Sequence, residues 1–376
     1  MKIFVTGGAG FIGSHLVDRL IDMGHEVRIF DNLEPQVHGS ALPPYISPKA
    51  EFVWGDVRNT EQLRDAVSGM ECIYHLAAAT GVGQSMYQIE KYFAVNVQGT
   101  ANLLDILANE KHGIKKIILA SSRAVYGEGE YRCDQCGIVF PKPRLPEQLR
   151  MGQWEVRCPH CNGPIEPILT PESKPANPGS MYGVTKLTQE MMVSTFSQAY
   201  GIPAIILRFF NVYGPRQSQH NPYTGILTAF YNCLSAGRAP EVYEDGKMTR
   251  DFVEVSDVVT ACVLALNTED RGQATYNIGT GEAISILEAA NIFCDLMEPS
   301  IRPQIVGKAR LGDIAACTAD ISAARTRLGY SPSISLKEGL SRLIEYMKAN
   351  WSPPDTLATQ AESELREAGL LLSGDD

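Results

Sequence analysis

The sequence predicts an α/β protein built on a doubly wound parallel sheet, with a smaller C-terminal lobe and a cysteine-rich insertion. Three observations predict it. Strand patterns alternate with helical patterns through the first half of the chain. A glycine-rich turn joins the first strand to the first helix. From about 128 to 171 the alternation stops, and cysteine, proline, glycine and charge take over.

The elements follow in order. KIFVT at 2–6 reads as a buried strand, and FIGSHLVDRLIDM at 11–23 spaces its apolar residues as a helix does. VRIF at 27–30, EFVW at 51–54, CIYHLAA at 72–78, KIILASS at 116–122 and AIILRFF at 204–210 read as further strands. Helices fill 60–69, 90–111 and 182–200. Beyond 211 the elements are shorter and mixed, as in a smaller lobe set on the carboxyl edge of a sheet. The stretch SPPDTLATQAESELREAGLLLSGDD at 352–376 opens on a proline break. It reads as a short acidic amphipathic helix with a frayed end, a surface appendage. The organisation expected is thus a sheet domain from 1–127 and 172–210, an insertion at 128–171, a lobe at 211–350 and an acidic tail at 351–376.

Composition narrows the function. With 44% hydrophobic and 20% charged residues, the 376-residue chain matches a soluble globular protein. Its net charge of −10 opposes general nucleic-acid binding. No apolar run reaches the roughly 18 residues of a membrane span, and MKIFVTGG enters a strand without a leader pattern. A cytoplasmic protein with no nucleic-acid or membrane partner is expected. Its nine cysteines then stay thiols. Cys72, Cys233, Cys262, Cys294 and Cys317 lie among apolar residues as small core fillers.

TGGAGFIG at 6–13 places Gly7, Gly10 and Gly13 between a strand and a helix. Glycine there permits a tight turn and close approach of backbone to a pyrophosphate, which the helix N-terminus attracts. Asp31 ends the second strand, where its carboxylate would take ribose hydroxyls and repel a 2′-phosphate. The sheet is therefore Rossmann-type, and NAD is favoured over NADP.

Tyr182 and Lys186 form Y-x-x-x-K on one face of a helix. A nearby ammonium stabilises a phenolate, so the tyrosine can act as a base near neutral pH. Ser122 closes the strand at 116–122 on the ligand-binding edge, whereas Ser121 points to the other face.

These motifs together resemble the extended short-chain dehydrogenase/reductases, specifically the NAD-dependent nucleotide-sugar epimerase/dehydratase family. TGGAGFIG, DN at 31–32, GDVR at 55–58, HLAA at 75–78 and VNVQGT at 95–100 match its cofactor half. SSRAVYG, SMYGVTK and RFFNVYGPRQ match its active site. DGKMTRDFVEVSDV and ARLGDIAACTADIS match its substrate lobe. The resemblance implies that Phe11, Ile12, Asn32, Asp56, Val57, Leu76, Ala77, Ala78 and Asn96 join the glycines and Asp31 on the cofactor. It implies that Asn211, Arg250 and Arg310 bind the substrate's diphosphate, with Asp313 helping to hold the nucleotide. It also implies a homodimer formed through the helices at 90–111 and 182–200.

Among the family's reactions, 4,6-dehydration needs an acid–base pair after the active-site hydroxyl. Arg123 and Ala124 occupy those positions, and neither can supply it. A 4-epimerase that recycles tightly bound NAD is the expected activity. YGEGEYRCDQCG resembles the dTDP-L-rhamnose 4-epimerase branch, which makes dTDP-6-deoxy-L-talose. UDP-hexose or UDP-uronate epimerisation and UDP-uronate decarboxylation stay open. So does an NAD-binding regulator or scaffold that uses the insertion to hold a partner.

Cys133 and Cys136 are separated by 21 residues from Cys158 and Cys161. Two such knuckles, followed by Gly137 and Gly163, suit a structural, zinc-ribbon-like site of four cysteines with His160 a bystander. A redox pair would need its own βαβ setting, and four reduced thiols in a loop is the plain alternative. Because Ser122 and Tyr182 lie on either side of the insertion, it is expected to border the sugar pocket or cover it as a lid.

Overall fold

The computed structural model describes residues 1–39, 42–218, 221, 225–268, 272–350 and 363–372. Seven parallel strands form the central sheet, in the order Gln273–Ile278, Ala204–Phe209, Lys116–Ser122, Cys72–His75, Lys2–Thr6, Glu26–Asp31 and Glu51–Trp54. The chain winds outward from Lys2–Thr6 in one direction, then returns through Cys72–His75 in the other. Ligands bind at such a reversal, beyond the carboxyl ends of the strands. Six strands fall where the sequence placed them. The expected strand at 72–78 stops at His75, and its last three residues become part of a loop. The seventh, Gln273–Ile278, was hidden in the mixed pattern beyond 211.

Both faces of the sheet are covered, which is why its strands are continuously apolar. One core joins Leu16, Val17 and Leu20 of Phe11–Asp22 to Val258, Cys262 and Leu266 of Val255–Asn267. That helix comes from the second half of the chain, so the two halves share a layer. The opposite core holds Leu63, Leu103, Leu107, Val193 and Phe196. The expected helix at 90–111 spans Ile89–Asn109, with a π-helical segment at Phe93–Gln98. A third core around Phe230, Phe293 and Leu343 belongs to the C-terminal lobe.

The insertion is a small sheet. Glu130–Cys133 pairs antiparallel with Gly137–Val139 and with Glu166–Thr170. Glu166–Thr170 in turn pairs with Thr318–Ala319 of the C-terminal lobe. A short helix, Pro146–Arg150, appears where no helical period was legible. The insertion is therefore tied to the lobe by main-chain bonds.

The tail keeps its expected helix at 363–367 but is not a surface appendage. Leu365, Leu371 and Leu372 are buried, and Leu371–Leu372 pairs antiparallel with Ala309–Arg310. The reason is apolar: Leu372 packs with Leu149 and Ala309 beside Trp154 and Leu311. Residues 351–362 and 373–376 lie outside the described residues. Of the dispersed cysteines, Cys72, Cys262, Cys294 and Cys317 are buried and Cys233 is half-buried.

Candidate active site

A cavity of about 450 Å³ opens at the carboxyl edge of the sheet. Gly7, Gly10, Phe11, Ile12 and Gly13 line one end, with Asp31, Asn32, Asp56 and Val57 beyond. Leu76, Ala77 and Ala78 form the floor, and Ser122, Arg123, Tyr182, Lys186 and Asn211 the far wall. Gly7 has φ +70, and a Cβ there would stand 2.7 Å from the Ala77 nitrogen. Only glycine lets the turn lie so close to that floor. Asp31 accepts from the nitrogens of Ala9 (3.0 Å) and Leu33 (2.9 Å), which fixes its carboxylate at the strand end. Each oxygen keeps a lone pair for a ligand. Burial disfavours ionisation of Asp56, but Arg58 and Asn32 bond its carboxylate and hold its pKa at about 2.

Asn96 does not border the cavity. It is fully buried, accepts from the Ala79 nitrogen (2.8 Å) and donates to Ala79 oxygen and Thr185 Oγ1. Its bonds bind the floor loop to the helix that carries Tyr182.

That helix, Met181–Tyr200, starts at Ser180, whose hydroxyl accepts from the Gly183 nitrogen at 3.1 Å. A Cβ on Gly183 would come within 2.5 Å of Ala124 oxygen. Its absence lets the helix lie against the turn Arg123–Val125 and brings Tyr182 to Ser122. Burial raises the Tyr182 pKa, while the neighbouring Ser122 hydroxyl and the Arg123 charge oppose it. Lys186 Nζ donates to Ala120 oxygen at 2.9 Å, and burial lowers its pKa to about 7. Ser121 turns away, its hydroxyl donating to buried Glu190 at 2.5 Å. Arg208 holds Glu190 in turn at 2.6 Å.

Arg123 was read only as excluding a dehydratase, yet it stands on the wall beside Tyr182. Its Nε donates to Asn211 Oδ1 at 3.2 Å, and no carboxylate among the described residues pairs with it. Asn211 nitrogen donates to Asp251 oxygen, which seats Arg250 behind the wall. Arg250 donates to Thr249 and Ala315 oxygens and also lacks a carboxylate partner among the described residues. Burial and the Arg123 charge lower its pKa to about 10. Arg123 and Arg250 repel one another, and Asp313, Glu128 and Glu244 are the carboxylates that act on Arg250 through their charge. Arg310 is exposed over the Tyr243 ring at 5.0 Å, and Asp313 acts on Arg250 through its charge. Neither borders the cavity. Gln36, Gln84 and Asn221 line the cavity with linked amides that no sequence pattern announced.

The four insertion cysteines converge. Their sulfurs all lie within 4.8 Å of one another, and Cys133 and Cys161 are 3.6 Å apart. A disulfide needs about 2.05 Å, whereas thiolates about 2.3 Å from a tetrahedral zinc stand about 3.8 Å apart. The set fits a structural ion and leaves no open position. Positive φ occurs at Gly137 (75°), but in the second knuckle it falls on Asn162 (57°) rather than Gly163. No residue of 128–171 lines this cavity, and neither does Arg250.

Residues 3–144 and 160–279 match the model of the NAD dependent epimerase/dehydratase family. A dTDP-L-rhamnose 4-epimerase of Burkholderia thailandensis is 39% identical over 345 residues, 91% of this chain and 93% of that protein. A putative UDP-glucose 4-epimerase of Methanocaldococcus jannaschii is 35% identical, over 93% of this chain and 99% of its own. Thermotoga maritima UDP-glucose 4-epimerase, solved with UDP-glucose, superposes with TM-score 0.77 at 29% identity, covering 94% of this chain and all of its own. Bacillus cereus UDP-glucuronic acid 4-epimerase, solved with UDP-glucuronic acid and NAD, gives TM-score 0.77 and 29% identity over 93% of this chain and all of its own.

Proposed function

The chain belongs to the NAD dependent epimerase/dehydratase family, and from that premise we propose an NAD-dependent 4-epimerase that converts dTDP-L-rhamnose to dTDP-6-deoxy-L-talose. The observation that carries the reading is the Ser122–Tyr182–Lys186 group at the far end of a glycine-floored cavity. The 39% identity to a dTDP-L-rhamnose 4-epimerase supports the sugar.

Bound in the cavity, NAD supplies the hydride acceptor and donor that inversion at C4 needs. Tyr182 Oη takes the O4 proton and returns it when the hydride comes back to the other face. Ser122 Oγ bonds O4 and orients it. Lys186, when charged, stabilises the phenolate. Asn211, Arg250 and Arg310 hold the diphosphate while the hexose turns. Asp31 selects NAD over NADP. The cluster of four cysteines holds a structural zinc that takes no part in these steps. Among the described residues no helix is long and apolar enough to cross a membrane, and we place the enzyme in the cytoplasm as a homodimer.

A UDP-uronate is the second reading, favoured by the Arg123 guanidinium on the sugar wall, which no carboxylate among the described residues neutralises. Purified protein incubated separately with dTDP-L-rhamnose, UDP-glucose and UDP-glucuronate, with products read by NMR, tests both. Inversion of dTDP-L-rhamnose is expected; conversion of UDP-glucuronate alone would replace the first reading by the second. Turnover of none would favour a regulatory NAD-binding protein. Tyr182→Phe should lower turnover by about a thousandfold or more with NAD still bound.

A further inference from the structure

Arg144 lies in the insertion, yet its side chain is buried in the C-terminal lobe. Nη1 and Nη2 grip Glu244 at 2.5 and 2.9 Å, and the two side chains are 2% and 1% exposed. Nη2 also donates to Asp313 oxygen at 3.1 Å, and Nη1 to Trp154 oxygen. Arg144 donates to Asp313 oxygen and Arg250 to Ala315 oxygen, so the Arg144–Glu244 pair and Arg250 meet on one segment of the lobe, where the Glu244 and Arg250 charges act on each other. Asp313 and the buried Glu128 also act on Arg250 through their charge, but Glu128 is held by the nitrogens of Ala315 and Ala316 and by Tyr131 Oη. Glu244 has no such backbone donors; among the described residues, its hydrogen bonds come from Arg144.

We propose that Arg144 is a positioning residue that neutralises Glu244 and so keeps Arg250 available for the substrate's diphosphate. A buried carboxylate without its partner seeks the next cation. Without Arg144, Glu244 draws Arg250 into an internal ion pair and the phosphate site loses its deepest charge. The insertion then acts on affinity from behind the lobe. This inference rests on Arg250 being a diphosphate ligand.

Binding of dTDP to the NAD-loaded full chain, measured by titration calorimetry, tests it. Arg250→Met should abolish binding. Arg144→Met should weaken it roughly tenfold or more, the scale of one part-buried charge competing for another. The double variant Arg144→Met/Glu244→Met should bind within about threefold of wild type, since apolar replacement of a buried ion pair is commonly tolerated. NAD content should stay constant throughout. A merely structural pin would not be rescued by the second substitution. Unchanged binding in Arg250→Met overturns the assignment of the site, and the masking with it. Loss in Arg250→Met without loss in Arg144→Met, or loss in Arg144→Met without rescue, overturns the masking alone. Should Arg144→Met not fold, Glu244→Gln decides: masking requires equal or tighter dTDP binding, and weaker binding overturns it.

Discussion

At the scale of single residues, the site is a matter of placing charge beside one phenol. Tyr182 sits 6.4 Å from the Tyr92 ring, edge to face, and lines the cavity together with Ser122. Burial pushes its pKa up; Arg123 pulls it down. In the proposed reaction the phenolate is the base, so activity should fall as pH drops below the tyrosine's pKa. Removing a neighbouring cation raises that pKa. Arg123→Met should therefore shift the acidic limb of the kcat/KM profile upward by about one pH unit, and Arg123→Lys by much less. An unmoved limb would show that Arg123 does not reach the phenol. Lys186 gives a second test. Its folded pKa is about 7 against an ordinary 10.5. Between those values the unfolded chain binds the extra proton, so stability of the ligand-free protein should rise with pH across that window. Lys186→Met should flatten this part of the Tm-against-pH curve. Y-x-x-x-K and the strand-end serine were legible because their spacing is local. Arg144 was not, because its partner Glu244 is a hundred residues away and no period marks it.

At the scale of elements, the tail shows how a segment can be misread. SELREAGLLL looks like a solvated helix end because its charges dominate. Leu371 and Leu372 nevertheless form a strand on Ala309–Arg310, and Tyr87 Oη donates to Glu364 at 2.8 Å. Two-residue pairing across some sixty positions leaves no trace in periodicity. That strand holds the segment bearing Arg310 and packs on Leu149 and Trp154 of the insertion, on the same side as Arg144. Leu372→Asp puts a carboxylate among Leu149, Ala309 and Trp154. It should cost about 2 kcal/mol or more by urea titration. It should also raise KM for the nucleotide sugar while leaving NAD content unchanged. An unchanged KM would mean that the tail stabilises the fold without shaping the site.

At the scale of the whole molecule, the sheet edge and the insertion are assembled in different ways. The cofactor end is built from local strand–turn–helix units, which is why TGGAGFIG and Asp31 could be placed from spacing, and HLAA from its resemblance to the family's motif. The substrate end is assembled from Glu128, Arg144, Thr318–Ala319 and Leu371–Leu372, segments far apart in sequence that meet only when folded. The cysteine cluster lies within the insertion, whose strands run on to the lobe through Glu166–Thr170. If a metal orders that small sheet, its loss should loosen the Arg144 contact first and leave the glycine turn intact. Protein purified without chelator should carry one zinc per chain by elemental analysis. Chelation, or Cys136→Ser with Cys161→Ser, should then weaken dTDP binding while NAD remains bound. Metal-free wild type with full dTDP affinity would separate the cluster from the site altogether, because cysteines that fold and work without an ion need no ion to explain their convergence.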